Sequence, residues 1–137
     1  MGAAGAIDPA TSEVSSALHR IAPDGADIAV DAVGTRLGEA IRDTRPRGKI
    51  LLFGFNTRAR PEIFQSEITR RELVVFGTWV GDFTFPLAVR LQESGLLNLD
   101  PIVSHWLPLE RTPEAFAALR TGAAVKAVLQ VSAAATR

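Results

Sequence analysis

Short apolar runs alternate along the chain with stretches of helical period, and the two patterns separate strands from helices. Ala26 to Val33 is apolar except for Asp27 and Asp31, Lys49 to Phe53 is apolar after its first residue, and Glu72 to Gly77 repeats that composition. Runs of this length that end at glycine predict strands buried on both faces, the habit of parallel sheets. Between them, Val14, Leu18 and Ile21 share one helical face, and so do Leu37, Ala40 and Ile41. Thr11 or Ser12 is expected to cap the first helix and Pro23-Asp24-Gly25 to end it; Gly34-Thr35 opens the second and Arg45-Pro46-Arg47-Gly48 closes it. Gly5-Ala6-Ile7 carries a weak strand signal, and Glu62 to Arg70 reads as a short helical or irregular stretch. Farther on, Phe85 to Gly95 predicts a helix with Pro86 in its first turn and Gly95 at its end. A proline-punctuated connection, Asp100 to Pro108, leads to a last helix from Thr112 to about Arg120, stopped by Gly122. Val125 to Val131 predicts the final strand, with an alanine-rich tail beyond it.

Strands and helices in this alternation mean crossover units and a largely parallel sheet, so the fold class is α/β. The 137 residues, 47% hydrophobic and 22% charged, suit one soluble globular domain. No window approaches the ~18 unbroken apolar residues of a membrane span. Met1 to Ala10 has neither the basic start nor the long apolar core of a secretory signal, which makes the expected compartment cytoplasmic. Fifteen basic and fifteen acidic residues cancel, leaving no overall field to draw the chain onto nucleic acid or an anionic membrane. The exception is local: Arg36 to Arg71 holds nine Lys or Arg against four Asp or Glu. That excess reads as solvated helix and loop surface, with a phosphate-facing patch as the alternative. Cysteine is absent and only His19 and His105 are present, so the chain alone cannot assemble a Cys/His zinc site.

Ligands of open parallel sheets bind beyond the C-terminal ends of the strands. Here those ends are Val33-Gly34, Phe53-Gly54-Phe55 and Gly77-Thr78-Trp79, each with a glycine where a side chain would hold a flat ligand off the backbone. The glycine-rich phosphate turn of a nucleotide fold does not occur: Gly34 to Gly38 has the wrong spacing, and Gly2 to Gly5 follows no strand. No strained serine elbow is present either. His105 sits among apolar residues as a structural histidine would. Asp31, inside a strand, reads as an acceptor for neighbouring backbone or as an acid or base. Lys126 reads as an edge-strand lysine or as an anion contact.

Three segments in order, Gly25-Ala26-Asp27-Ile28-Ala29-Val30-Asp31-Ala32-Val33-Gly34, Arg47-Gly48-Lys49-Ile50-Leu51-Leu52-Phe53-Gly54 and Arg71-Glu72-Leu73-Val74-Val75-Phe76-Gly77-Thr78, resemble the later strands of the nucleotide-binding domain in zinc-type medium-chain alcohol and polyol dehydrogenases. Asp100 to Glu110 resembles that family's return segment toward its catalytic domain, and Glu114-Ala115-Phe116 with Gly122 to Leu129 completes the series. Thr84-Phe85-Pro86 and Leu91-Gln92-Glu93-Ser94-Gly95 lean toward the sorbitol and arabitol branch. The resemblance runs from about Gly5 to Gln130. It implies a partial Rossmann-type parallel sheet over residues 1–99, a return segment with a C-terminal helix and strand over 100–131, and a frayed tail over 132–137. It also implies NAD or NADP as cofactor, with Val33 and Gly34 beside the adenosine half. Phe53, Gly54, Phe55, Gly77, Thr78 and Trp79 would line the nicotinamide, and Lys126 would approach the pyrophosphate. The chemistry implied is hydride exchange between a small alcohol or polyol and the nicotinamide, with zinc polarising the oxygen.

The same resemblance identifies what these residues do not match. The family's zinc-ligand domain, its first two nucleotide-domain strands and the G-x-G-x-x-G turn have no counterpart in the sequence. The expectation is the last third of a dehydrogenase, inactive alone, with zinc and substrate belonging to the missing part. The alternative is a non-catalytic α/β module that associates with itself or completes a partner, with or without nucleotide binding. In the strand order 3-2-1-4-5-6, loss of strands 1 and 2 leaves Ala26 to Val33 as a bare edge. Self-association, as a dimer, is expected from that edge; family dimers also often join across the last strand, here Glu72 to Gly77.

Overall fold

The computed structural model describes residues 3–79, 81 and 83–131. They divide into two units, Ala3–Asp82 and Phe83–Arg137. No helix of the described residues is long and apolar enough to cross a membrane.

The first unit runs α1 (Val14–Ile21), β1 (Ala26–Asp31), α2 (Leu37–Asp43), β2 (Thr44–Leu52), α3 (Gln65–Arg70) and β3 (Val74–Gly77). The strands form one parallel sheet in the order β1-β2-β3, so β1 and β3 are its edges. Ala29, Ile50 and Val75 lie abreast in register, and residues abreast in a parallel sheet point to the same face. On that face Ile41, Ile50 and Leu73 form the buried core, joined by Leu37 and Ala40 from α2 and Ile68 from α3. Apolar helix stripes seated on one sheet face are what the spacing of Leu37, Ala40 and Ile41 predicted. The opposite face differs from the expectation of strands buried on both sides. Val30, Leu51 and Phe76 lie abreast there, and Ile28, Val30, Val74 and Phe76 are all exposed. The helices that pack on this sheet within the unit do so through the Ile50 face.

Several boundaries move for local reasons. The Gly5-Ala6-Ile7 segment forms no strand. α1 is capped by Glu13 rather than Thr11 or Ser12, its carboxylate accepting the N–H groups of Ser15 at 3.1 Å and Ser16 at 2.6 Å. The turn chemistry of Arg45 to Gly48 appears as a bulge inside β2 instead of a loop before it. Thr44 pairs with Ala26 and Lys49 with Ile28, so the intervening residues of β2 have no one-to-one partners. Thr44 makes this early strand start possible: fully buried, it donates its hydroxyl to the Ala40 carbonyl at 2.6 Å, ending α2 directly into β2. Arg47 takes a positive φ of 64° in the bulge.

The second unit contains α4 (Phe85–Glu93), a 3-10 turn (Asp100–Ile102), β4 (His105–Pro108), a second 3-10 turn (Leu109–Arg111), α5 (Thr112–Thr121) and β5 (Ala127–Gln130). Proline stands in the first turn of both α4 and α5, and Gly122 closes α5 in the left-handed region, as their sequences predicted. The proline-punctuated connection holds a strand that pattern reading missed: β4 pairs in parallel with β5, His105 opposite Ala127 and Leu107 opposite Leu129. The final strand is accordingly shorter than Val125 to Val131. The tail, 132–137, lies outside the described residues.

Candidate functional site

The C-terminal ends of β1 and β2 are fastened together by one residue. Asp31, only 4% exposed, ends β1. Its Oδ1 accepts the backbone N–H of Val33 at 3.0 Å and of Gly34 at 2.7 Å, and its Oδ2 accepts that of Arg36 at 2.9 Å. The carbonyl of the same residue accepts the N–H of Phe53 at 3.1 Å and of Gly54 at 2.7 Å. Burial pushes the Asp31 carboxyl upward, but the hydrogen bonds from Gly34, Arg36 and Val33 outweigh it and hold the group below the ordinary aspartate range. Of the two readings open for Asp31, the structure realises the backbone acceptor.

Glycine is required at both contacting positions. Gly34 has φ +83°, and a Cβ there would meet the Gly54 carbonyl oxygen at 2.7 Å. A Cβ on Gly54 would in turn collide with the backbone of Val33 and Gly34. The two loops therefore touch main chain to main chain. The third strand end is tied more lightly, by the Thr78 N–H on the Leu52 carbonyl at 3.1 Å. Gly77 differs from the other two glycines: a Cβ there would meet nothing within 4 Å, so protein packing does not demand it.

Around this main-chain floor stand exposed apolar groups. Val33, Phe53, Phe55 and Trp79 all show most of their surface to solvent. Phe55 and Trp79 meet edge to face, ring centroids 4.7 Å apart and planes at 79°. Val33, Gly34, Phe53, Gly54, Phe55, Gly77, Thr78 and Trp79 thus belong to one strand-end region of one unit. Lys126 lies in the other unit, exposed, immediately before β5 rather than within it. Its carbonyl accepts from the Ser104 N–H at 3.0 Å, the Ser104 hydroxyl at 3.2 Å and the His105 N–H at 3.3 Å. The Ser104 hydroxyl also receives the Val125 N–H at 3.0 Å and stands 3.0 Å from the His105 Nδ1. Ser104 holds this turn, and nothing in its sequence surroundings had singled it out.

The basic stretch is surface, and most of its arginines carry an acidic neighbour: Arg36 with Glu39, Arg42 with Asp43, Arg45 with Asp27, Arg47 with Glu72 and Arg70 with Glu67. A groove of about 560 Å³ opens beside α2 and α3, lined by Ile41, Ile63 and Phe64 together with side chains of both charge signs. It includes none of the predicted site residues. Among the described residues, no three His, Cys, Asp or Glu side chains gather as metal ligands. The described residues therefore supply no zinc ligand set.

Comparison with known proteins matches residues 1–94 to the zinc-binding dehydrogenase family. A sorbitol dehydrogenase of Bombyx mori is 29% identical over 121 residues, which is 87% of this chain and 34% of that protein. The chain spans about a third of the length of the curated relatives it matches. Among solved structures, the alcohol dehydrogenase TADH of Thermus sp. ATN1 superposes with a TM-score of 0.82 at 23% identity, over 92% of this chain and 38% of that one. An alcohol dehydrogenase of Escherichia coli CFT073, solved in complex with NADH, gives 0.81 at 21% identity over 94% of this chain and 39% of that one. These likenesses establish the α/β fold with its parallel sheets as that of such enzymes.

Proposed function

The chain belongs to the zinc-binding dehydrogenase family, and from that premise we propose that it forms the C-terminal segment of an NAD- or NADP-dependent alcohol or polyol dehydrogenase. Its part is to supply a wall of the cofactor crevice. The observation that carries this reading is the main-chain contact of Gly34 with Gly54, bordered by the exposed Phe55–Trp79 pair. A wall of backbone admits a flat ring closely, and exposed aromatic edges give it something to pack against.

In this proposal Val33 and Gly34 lie against the adenosine half, while Phe53, Gly54, Phe55, Gly77, Thr78 and Trp79 border the nicotinamide. Lys126 offers an ammonium to phosphate from its own unit, its backbone fixed by Ser104. The cofactor, when bound, accepts or donates a hydride; this chain's residues orient it and keep water from one face. The described residues hold no zinc ligand set, so no proton or metal step is assigned to them. The substrate, a small alcohol or polyol, belongs to the longer enzyme, and the compartment proposed is the cytoplasm.

The test is a titration of the purified chain with NADH, NADPH and ADP-ribose, followed by calorimetry and, in a Trp106→Phe background, by the fluorescence of Trp79. The expected result is weak saturable binding that quenches Trp79 and fades in Gly77→Val, where the neighbouring packing leaves a side chain room. No heat and no quenching at millimolar ligand would overturn the crevice reading. A companion assay with zinc, NAD⁺ and a polyol is expected to show no turnover, and zinc-dependent NADH formation would refute the division of labour.

A second reading rests on β1, a sheet edge whose Ile28 and Val30 are exposed. Such an edge pairs readily with another strand, making the chain a self-associating or partner-completing module. Light scattering at tens of micromolar separates the two readings: dimers favour the module, and a clean monomer counts against it.

A further inference from the structure

Deepening the crevice reading, on which its ligand half rests, we propose that Asp31 is a positioning residue that holds the first two strand-end loops in one ligand-ready arrangement without touching the ligand. The side chain is buried, and both of its oxygens are committed to backbone donors from the loop that follows β1. Its own carbonyl takes two more donors from the loop that follows β2. One residue thus gathers N–H groups of Val33, Gly34, Arg36, Phe53 and Gly54. A proton-transfer role is the competing use of a buried acid at a strand end. It needs an oxygen aimed at a reacting atom, and here both are aimed at main chain.

The residue type follows from the donor pattern. A carboxylate accepts on both oxygens and donates on neither. An amide at the same place would keep the bonds to Val33 and Gly34 on its oxygen but turn its own N–H₂ toward the N–H of Arg36. The glycines complete the device, because the loops gathered by Asp31 can meet only where Gly34 and Gly54 carry no Cβ. A wall fixed in this way loses little freedom when a ligand arrives, so its contribution to affinity comes from preorganisation rather than contact.

Amide hydrogen exchange by NMR, run beside an NADH titration on the chain and on Asp31→Asn and Asp31→Ala, tests this. Asp31→Asn is expected to speed exchange most at Arg36, and Asp31→Ala at Val33, Gly34 and Arg36, in each variant by a larger factor than at Ile50 in β2, which follows the global stability. The NADH dissociation constant is expected to rise about threefold in Asp31→Asn and about tenfold in Asp31→Ala. The graded, residue-resolved pattern is what general destabilisation would not give, since that would speed Ile50 by the same factor as the loop amides. Where Asp31→Ala fails to fold, the Asp31→Asn pattern decides alone. Unchanged exchange at all three loop amides overturns the proposal, as does faster exchange with unchanged NADH affinity. Absence of NADH binding by the unsubstituted chain defeats the cofactor reading separately, and the exchange pattern then upholds or overturns Asp31 as the organiser of the loops.

Discussion

The two ends of the three-stranded sheet differ in what their charged groups do. At the C-terminal end, Asp31 is buried and gathers backbone donors, and Gly34 touches Gly54 directly. At the N-terminal end, Gly25 meets the backbone of Asp43 to Arg45 and the Arg47 N–H donates to the Arg71 carbonyl at 2.8 Å, while the charged side chains form exposed ion pairs from the bulge of β2 to the turn before β3 and to β1. Arg47 meets Glu72 at 2.6 Å with both side chains mostly in solvent, and Arg45 meets Asp27 at 2.5 Å. Both Arg47 and Glu72 sit in the left-handed region, φ 64° and 52°, where a side chain is strained. Arg71 is the more settled member of that end, its guanidinium donating to the Ile41 carbonyl at 2.9 Å. The lesson concerns solvent. Charges paired in water contribute little, whereas a charge withdrawn from water onto backbone donors fixes geometry.

The sharpest way to break this contrast is Gly54→Ala. Its methyl meets backbone rather than a yielding side chain, so a loss of about 4 kcal/mol or failure to fold is expected in urea denaturation. Asp31→Ala comes next, at about 2–3 kcal/mol, because the part-buried hydrogen bonds from Val33, Gly34 and Arg36 to a charged acceptor are lost together. The pH dependence should agree with it. The folded-state pKa of Asp31 is depressed, so its stabilisation is complete above the unfolded-state value and disappears as pH falls through the lower, folded value. The melting temperature of the unsubstituted chain should therefore carry an acid-dependent loss that begins in the ordinary aspartate range and ends below it, and Asp31→Asn should lack that component.

At the opposite end the effects should shrink and one should change sign. Glu72→Gly relieves a positive φ and should gain about 0.5–1 kcal/mol after the entropy of glycine is counted, read as a raised denaturation midpoint. Arg47→Ala removes an exposed pair and should leave the midpoint within error. A loss from Arg47→Ala comparable to that from Asp31→Ala would erase the distinction between the two ends.

Much of this was legible from residue order. Apolar runs closed by glycine located all three strands of the sheet, and the spacing of Leu37, Ala40 and Ile41 identified the face that α2 buries. The misses share a cause, which is pairing with something distant. β4 escaped notice because His105 to Pro108 is brief and ends at proline, and it exists as a strand through β5, reached only across α5. The Arg45 to Gly48 segment carries true turn chemistry, yet Thr44 already pairs with Ala26, so the turn became a bulge. At the site, glycine after each strand marked the region, but composition could not distinguish Gly54, crowded by Gly34, from Gly77, which has open space. Asp31 could be read as a backbone acceptor because a buried carboxylate demands partners; that it joins two loops depends on register.

The parallel direction of β1 constrains anyone wishing to engineer this sheet. An antiparallel neighbour could be grafted on through a two-residue hairpin, but a parallel one cannot. A strand appended beside β1 in the sheet's own direction needs a crossover of about a dozen residues or more, or must arrive on a separate polypeptide. Split-protein designs that reassemble at this edge are therefore more practicable than short loop grafts.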